Sequence, residues 1–170
     1  MSDLETREFH PELMPRRGEL NAWLLFAATG VGVFLLSRMM PVVPSWAWFF
    51  LGFLGFSALS ISLGNWMDRK TLIVLDGNGI HFENGIRSVR LGWHEVQKVA
   101  VLPARWGKDV QVVGEKSHFG FKTLGEVQFQ GKVRGRTGFV DGQNILDTIL
   151  RETGLQQADQ KGNAYYYSRA

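Results

Sequence analysis

The sequence predicts a membrane α-helical hairpin followed by an α+β domain, and three observations carry that expectation. Two long uncharged apolar runs stand close together, joined by a short stretch with one arginine and two prolines. From Thr71 onward apolar residues recur at every second position, the spacing of half-buried strands. Near the C-terminus the spacing changes to that of one amphipathic helix.

The apolar runs come first. Residues 20–37, "LNAWLLFAATGVGVFLLS", hold no charge, and as a helix they extend about 27 Å, close to the hydrocarbon thickness of a bilayer. Residues 43–66 are again uncharged and longer. Helices buried in a soluble bundle would carry a polar stripe at helical spacing, and neither run has one. Only a few residues around Arg38, Pro41 and Pro44 separate them, so the second helix is expected to return antiparallel to the first. Arg38 then sits in the turn at one membrane surface, where its long stem carries the charge to water. On the opposite side stand Arg7, Arg16, Arg17, Arg69 and Lys70, a bias that places both termini in the cytoplasm of a bacterial inner membrane. Trp23 and Trp66 mark the inner interface, and Trp46 and Trp48 the outer one.

Ahead of the hairpin, residues 1–19 are polar, mixed in charge and interrupted by Pro11 and Pro15, which reads as an extended cytoplasmic arm. Acidic residues precede the first apolar run and "LLSRMM" follows it, unlike a cleaved signal peptide. Small residues recur at helical spacing within the spans: Ala28 and Gly32 in the first, Gly55, Ala58 and Ser62 in the second. Such faces let helices approach closely. They either pack the hairpin against itself or receive a helix from another membrane protein.

The β-region opens with "TLIVLD" and "GIHFEN" around "DGNG", a hairpin signal. Further strand candidates are "RSVRLG", "QKVAVLPA", "DVQVVGE", "HFGFKTL" and "EVQFQGKVRGR". In "DGQNILDTILRETG" Ile145, Leu146, Ile149 and Leu150 share a helix face, with Asp141 placed to cap its start and Gly154 its end. Trp93, Phe119, Phe121 and Phe129 join Ile145 and Ile149 in the expected core. Residues 70–155 thus form the domain and residues 156–170, without periodicity, a flexible tail.

The stretches "LIVLDGNGIHFENG" and "RSVRLGWHEVQKVAVL", with its Trp93-x-Glu95-Val96 step, and the strand series ending in "GQNILDTIL" resemble the bacterial pleckstrin-homology-like (PH-like) domain family over residues 70–155. The resemblance implies a partly open antiparallel β-barrel of about seven strands capped by the C-terminal helix. It also implies a platform for lipids, peptides or proteins. Phosphoinositide-binding members carry basic residues in the first hairpin loop, whereas "DGNG" holds only an acid. Similar domains joined to membrane helices occur in a reaction-centre assembly protein of purple bacteria, which points towards assembly of a bioenergetic or photosynthetic complex.

Composition and motifs narrow the chemistry. The 170-residue chain carries a net charge of +3, too weak a basic balance for nucleic acid. It holds no cysteine, which removes disulfides, thiolate metal sites and cysteine nucleophiles. "HEVQK" at 94–98 begins like a zinc-protease helix, but Lys98 stands where the second ligand belongs. Phosphate-binding loops, nucleophile elbows and dinucleotide fingerprints are missing from the sequence, so no catalytic residue, metal or cofactor is expected. Two surfaces remain as candidates for a partner or for lipid. On one continuous strand Lys132, Arg134 and Arg136 would form a row of cations, and the loop "LPARWGKD" offers Arg105, Trp106 and Lys108. The expectation is a non-catalytic accessory, scaffold or assembly subunit working with other integral membrane proteins and membrane lipids. The alternative is a lipid-sensing module that binds anionic lipids.

Overall fold

The structure is a computed structural model that describes residues 5–13, 15–129 and 131–169, with the side chains of residues 127–129, 132 and 134 left out of the description. The chain divides into two compact units, a helical one over Pro15–Met67 and a β-rich one formed by Met1–Met14 with Asp68–Ala170.

The helical unit is built from α1 (Arg17–Met39) and α2 (Ser45–Lys70), whose last residues pass into the β-rich unit. Both are long and apolar enough to cross a membrane. Only 6% and 11% of their apolar windows are buried inside the chain, unlike the mostly buried core helix of a soluble fold. The helices run antiparallel: Glu19 meets Asn65, Trp23 meets Ser62, and Phe26 lies over Gly55. Helix α1 begins three residues earlier than the uncharged run, taking in Arg17 and Glu19.

The β-rich unit contains antiparallel sheets and does not close into a barrel. Its strands are β1 (Arg7–Phe9), β2 (Pro11–Glu12), β3 (Thr71–Asp76), β4 (Gly79–Asn84), β5 (Ser88–Gly92), β6 (Val96–Pro103), β7 (Lys108–Gly114), β8 (His118–Lys122), β9 (Gly125–Phe129), β10 (Lys132–Phe139), β11 (Gln156–Lys161) and β12 (Ala164–Ser168). They form three sheets in the orders β1-β3-β4-β5, β2-β10-β9 and β11-β12-β6-β7-β8. Helix α3 (Gly142–Thr153) follows β10.

Alternation gives each large sheet one apolar face, and these faces share a single core. Ile73, Leu75, Ile80, Phe82, Val89 and Leu91 from the first meet Val99, Val101, Val110, Val112, Phe119 and Phe121 from the other. Phe82 stacks on Phe119 with ring centroids 5.1 Å apart, and Phe121 meets Phe139 edge-on at 5.9 Å. Ile145, Leu146 and Ile149 of α3 complete the cluster. The first hairpin turn is held by Asp76, whose Oδ1 accepts the amides of Asn78 and Gly79 at 2.7 and 2.9 Å. Trp93 sits partly buried, its indole N–H donating to the Asp76 carbonyl at 3.0 Å. Glu95 caps the following 3₁₀ turn by accepting the Gly92 amide at 2.8 Å. The Trp93-x-Glu95-Val96 step therefore locks the β5–β6 junction onto the β3–β4 turn.

Four expectations change. Residues 7–12 are not a loose arm: β1 adds to β3 with Arg7 opposite Leu75 and Phe9 opposite Ile73, and β2 pairs with β10. Phe9 supplies the reason, because its ring packs against the core. Residues 156–168 are not a flexible tail either. They form the β11–β12 hairpin, with β12 paired to β6 and Tyr165 and Tyr167 packed on the core. "EVQFQGKVRGR" is two strands turned at Gly131, whose φ of +73° suits glycine. Asp141 occupies the N-cap of α3 without a side-chain bond to the backbone, its Oδ1 accepting from Asn144 instead, whereas Gly154 ends the helix in the left-handed region as expected. Phe129 falls among the side chains left out of the description.

Candidate partner and membrane surfaces

Within the hairpin, the small-residue positions separate into two groups. Gly55 lies under Phe26, where an added Cβ would stand 2.9 Å from the ring. Ala58 is fully buried, and the Ser62 hydroxyl accepts the Trp23 indole N–H at 2.9 Å. One turn further along, Asn65 donates to Glu19 Oε2 at 2.9 Å. These residues are engaged in joining α1 to α2. Hydrogen bonds between membrane helices contribute on the order of 0.6–2 kcal/mol each, and they fix which residues face one another. Gly55, Ala58 and Ser62 therefore face α1 inside the hairpin. Ala28 and Gly32 lie on the other side of α1, exposed, and a Cβ at Gly32 would meet nothing within 4 Å.

The outer faces of the hairpin carry large apolar side chains that no described residue covers. Phe49, Phe53 and Phe56 of α2 are 75, 56 and 72% exposed, and Leu24, Val31 and Leu35 of α1 are likewise exposed. Their area needs hydrocarbon or a protein surface to cover it.

On the β-rich unit, Arg105 and Trp106 occupy the tight β6–β7 turn. The guanidinium lies 5.1 Å from the indole centroid, and Trp106 is about one-third exposed at 38%. The turn is anchored from below. Lys108 N–H donates to Thr123 Oγ1 and Thr123 N–H to the Lys108 carbonyl, both at 2.9 Å. A Cβ on Gly107 (φ +73°) would come within 2.6 Å of the Thr123 carbonyl oxygen. Lys108 is exposed beside this pair.

The expected cationic row takes another form. A bulge between Val133 and Gly135 puts Lys132 opposite Phe129 but Arg136 opposite Glu126, so these two register positions no longer share one face. Arg136 pairs with Glu126 at 3.4 Å, a half-exposed contact that offsets its charge locally. The side chains of Lys132 and Arg134 lie outside the described ones.

Two clefts were not anticipated. One, of about 400 Å³, is lined by Asp76, His81, Arg90 and Glu95 around the close Gly79–Gly92 pair. Its carboxylates are engaged with turn amides, its histidine stands 3.8 Å from Glu83, and His81 Nδ1 has no partner among the described residues. The other, of about 320 Å³, lies on the β6–β12 surface against Lys98, Ala100, Val113 and Tyr166. Among the described residues no three His, Cys, Asp or Glu side chains converge as metal ligands would. Comparison with family models, curated proteins and solved structures finds no match to this chain.

Proposed function

We propose that the chain is a non-catalytic integral membrane accessory subunit that scaffolds or assembles a larger complex of a bacterial inner membrane. One observation carries this reading: the helical hairpin is inserted into the β-domain, between β2 and β3, and strands on both sides of the insertion complete the same sheets. A removable tether would follow or precede a finished domain. Here the anchor interrupts the platform's own sequence, with exposed apolar faces on the spans and antiparallel sheets in the β-rich unit. Because β1 pairs with β3, residues 7–9 and 73–75 belong on the same side of the bilayer, which an even number of crossings satisfies. The charge bias puts that side in the cytoplasm.

The β-domain reads best as a PH-like frame: two facing antiparallel sheets with a C-terminal helix against their shared core, extended by the arm strands and the final hairpin. The lipid-sensing alternative keeps the Arg105–Trp106 turn but loses the continuous cationic row on which it chiefly rested. The test is isolation in mild detergent and identification of co-purifying membrane proteins. Gly32→Leu, on the open face of α1, is expected to reduce a stoichiometric partner while leaving the β-domain folded. Recovery of the chain alone, from membranes that retain their complexes, would sink the scaffold reading.

A further inference from the structure

Helix α2 runs into β3 without a linker, since Lys70 ends the helix and Thr71 begins the strand. Thr71 pairs with Asn84, the last residue of β4. The β4–β5 turn, Asn84–Gly85–Ile86–Arg87, therefore lies at the end of the sheet where β3 starts, next in register to the residue that follows α2. Met67 to Thr71 covers only about 6 Å of helix, so few residues separate this end of the sheet from the apolar run.

The turn is built to hold its tip still. Asn84 Oδ1 accepts the amides of Ile86 and Arg87 at 3.3 and 2.8 Å, the Asn84 amide donates to the Arg87 carbonyl at 3.0 Å, and Gly85 takes a φ of +79°. Rigidity would matter little for a polar loop, but the residue presented is Ile86, 65% exposed. Arg87 follows it, exposed, and Lys70 is exposed at the helix end. Around this corner the cations Arg69, Lys70 and Arg87 stand against two carboxylates, Asp68 and Glu83, the latter opposite Ser88 and 3.8 Å from His81.

We propose that the β4–β5 turn is a foot on the chain's own bilayer, with Ile86 entering the headgroup–acyl boundary and Arg87 and Lys70 engaging anionic phospholipid headgroups. The inference rests on the membrane reading of the hairpin. A β-branched apolar tip flanked by cations suits that boundary, where apolar area leaves water and basic side chains meet a negative surface. Such a foot would fix how the β-domain leans on the membrane and hence which surface it turns to a partner.

The full-length chain has no cysteine, so single labels can be placed cleanly. Ile86→Cys, Phe53→Cys and Lys161→Cys, each carrying a small fluorophore, are reconstituted into phosphatidylcholine vesicles whose acyl chains are brominated both near the headgroup and near the chain end. The label at 86 is expected to lose most of its fluorescence, as the label at 53 does, while the label at 161 keeps its own. Phosphatidylglycerol is expected to deepen the loss at 86, and Arg87→Gln to abolish that increment. A bright label at 86 beside a quenched one at 53 would overturn the foot and leave the spans intact. Bright labels at both would remove the membrane reading and the foot together. Quenching at 86 that ignores lipid charge would overturn the headgroup role of Arg87 and Lys70.

Discussion

Phe9 offers the sharpest test of the architecture, because it belongs to a segment that composition alone assigns to an extended arm outside the domain. Its side chain is partly buried against the core, and its backbone pairs with Ile73 at the centre of β3. Burying a whole phenylalanine side chain contributes about 1.5–3 kcal/mol, so a partly buried one at a sheet edge should be worth roughly 1–2 kcal/mol. Phe9→Ala should therefore lower hydrogen-exchange protection across β3 by about 5–30-fold in the full-length protein in detergent. Leu13, 53% exposed, is the matched control, and Leu13→Ala should shift stability by less than about 0.5 kcal/mol. Unchanged β3 protection in Phe9→Ala would refute the claim that residues before the hairpin form part of the domain.

Other outcomes follow from the same contacts. Ala58→Leu should force α1 and α2 apart, with an overpacking cost of about 1–3 kcal/mol. Proximity labels at Trp23 and Ser62 should report the separation, whereas Gly32→Leu should not move them. Phe121→Ala or Ile149→Ala should each cost the β-domain about 2–5 kcal/mol, read by denaturant unfolding, and two silent substitutions would show that the strand phases are misassigned. Gly138→Ala should also destabilise the domain, since φ is +91° and the new Cβ would stand 2.4 Å from the Thr123 carbonyl oxygen; a wild-type unfolding midpoint would contradict that packing. For topology, a cysteine at Ser37 should react with an impermeant thiol reagent in intact cells and one at Ser168 should not. Reversed labelling would invert the assigned orientation.

The parts of the fold legible in the sequence are those whose signal is local and periodic. Uncharged runs gave α1 and α2, the turn signal "DGNG" gave the β3–β4 hairpin, and short period-two stretches gave β5 through β8, the alternation being clearest in β7 and β8. What escaped depends on partners distant in the chain. Arg7-Glu8-Phe9 is too short to show a period, and it becomes a strand only because β3 presents an open edge. The final hairpin did carry a local sign, Gly162-Asn163 before three tyrosines, but every residue of β11 is exposed, which blunts the apolar pattern. The cationic row failed for a related reason. One bulged residue reverses the parity of everything after it, and nothing in "GKVRGR" marks where the bulge falls. Within the spans the small-residue spacing was visible, yet only the pairing of Trp23 with Ser62 decides which small residues face inward.

The interruption of the β-domain by the membrane hairpin also bears on how the protein is made. Strand β1 leaves the ribosome before β3, which emerges only after both apolar segments. If one segment failed to insert, β1 and β3 would end on opposite sides of the bilayer. The bare edge of β3 would then lack its cover, and an uncovered edge strand invites aggregation and degradation. On the proposed membrane reading, closure of the sheet would work as a checkpoint on insertion: a correctly threaded chain would bury Phe9 and become resistant, while a misthreaded copy would stay marked for removal.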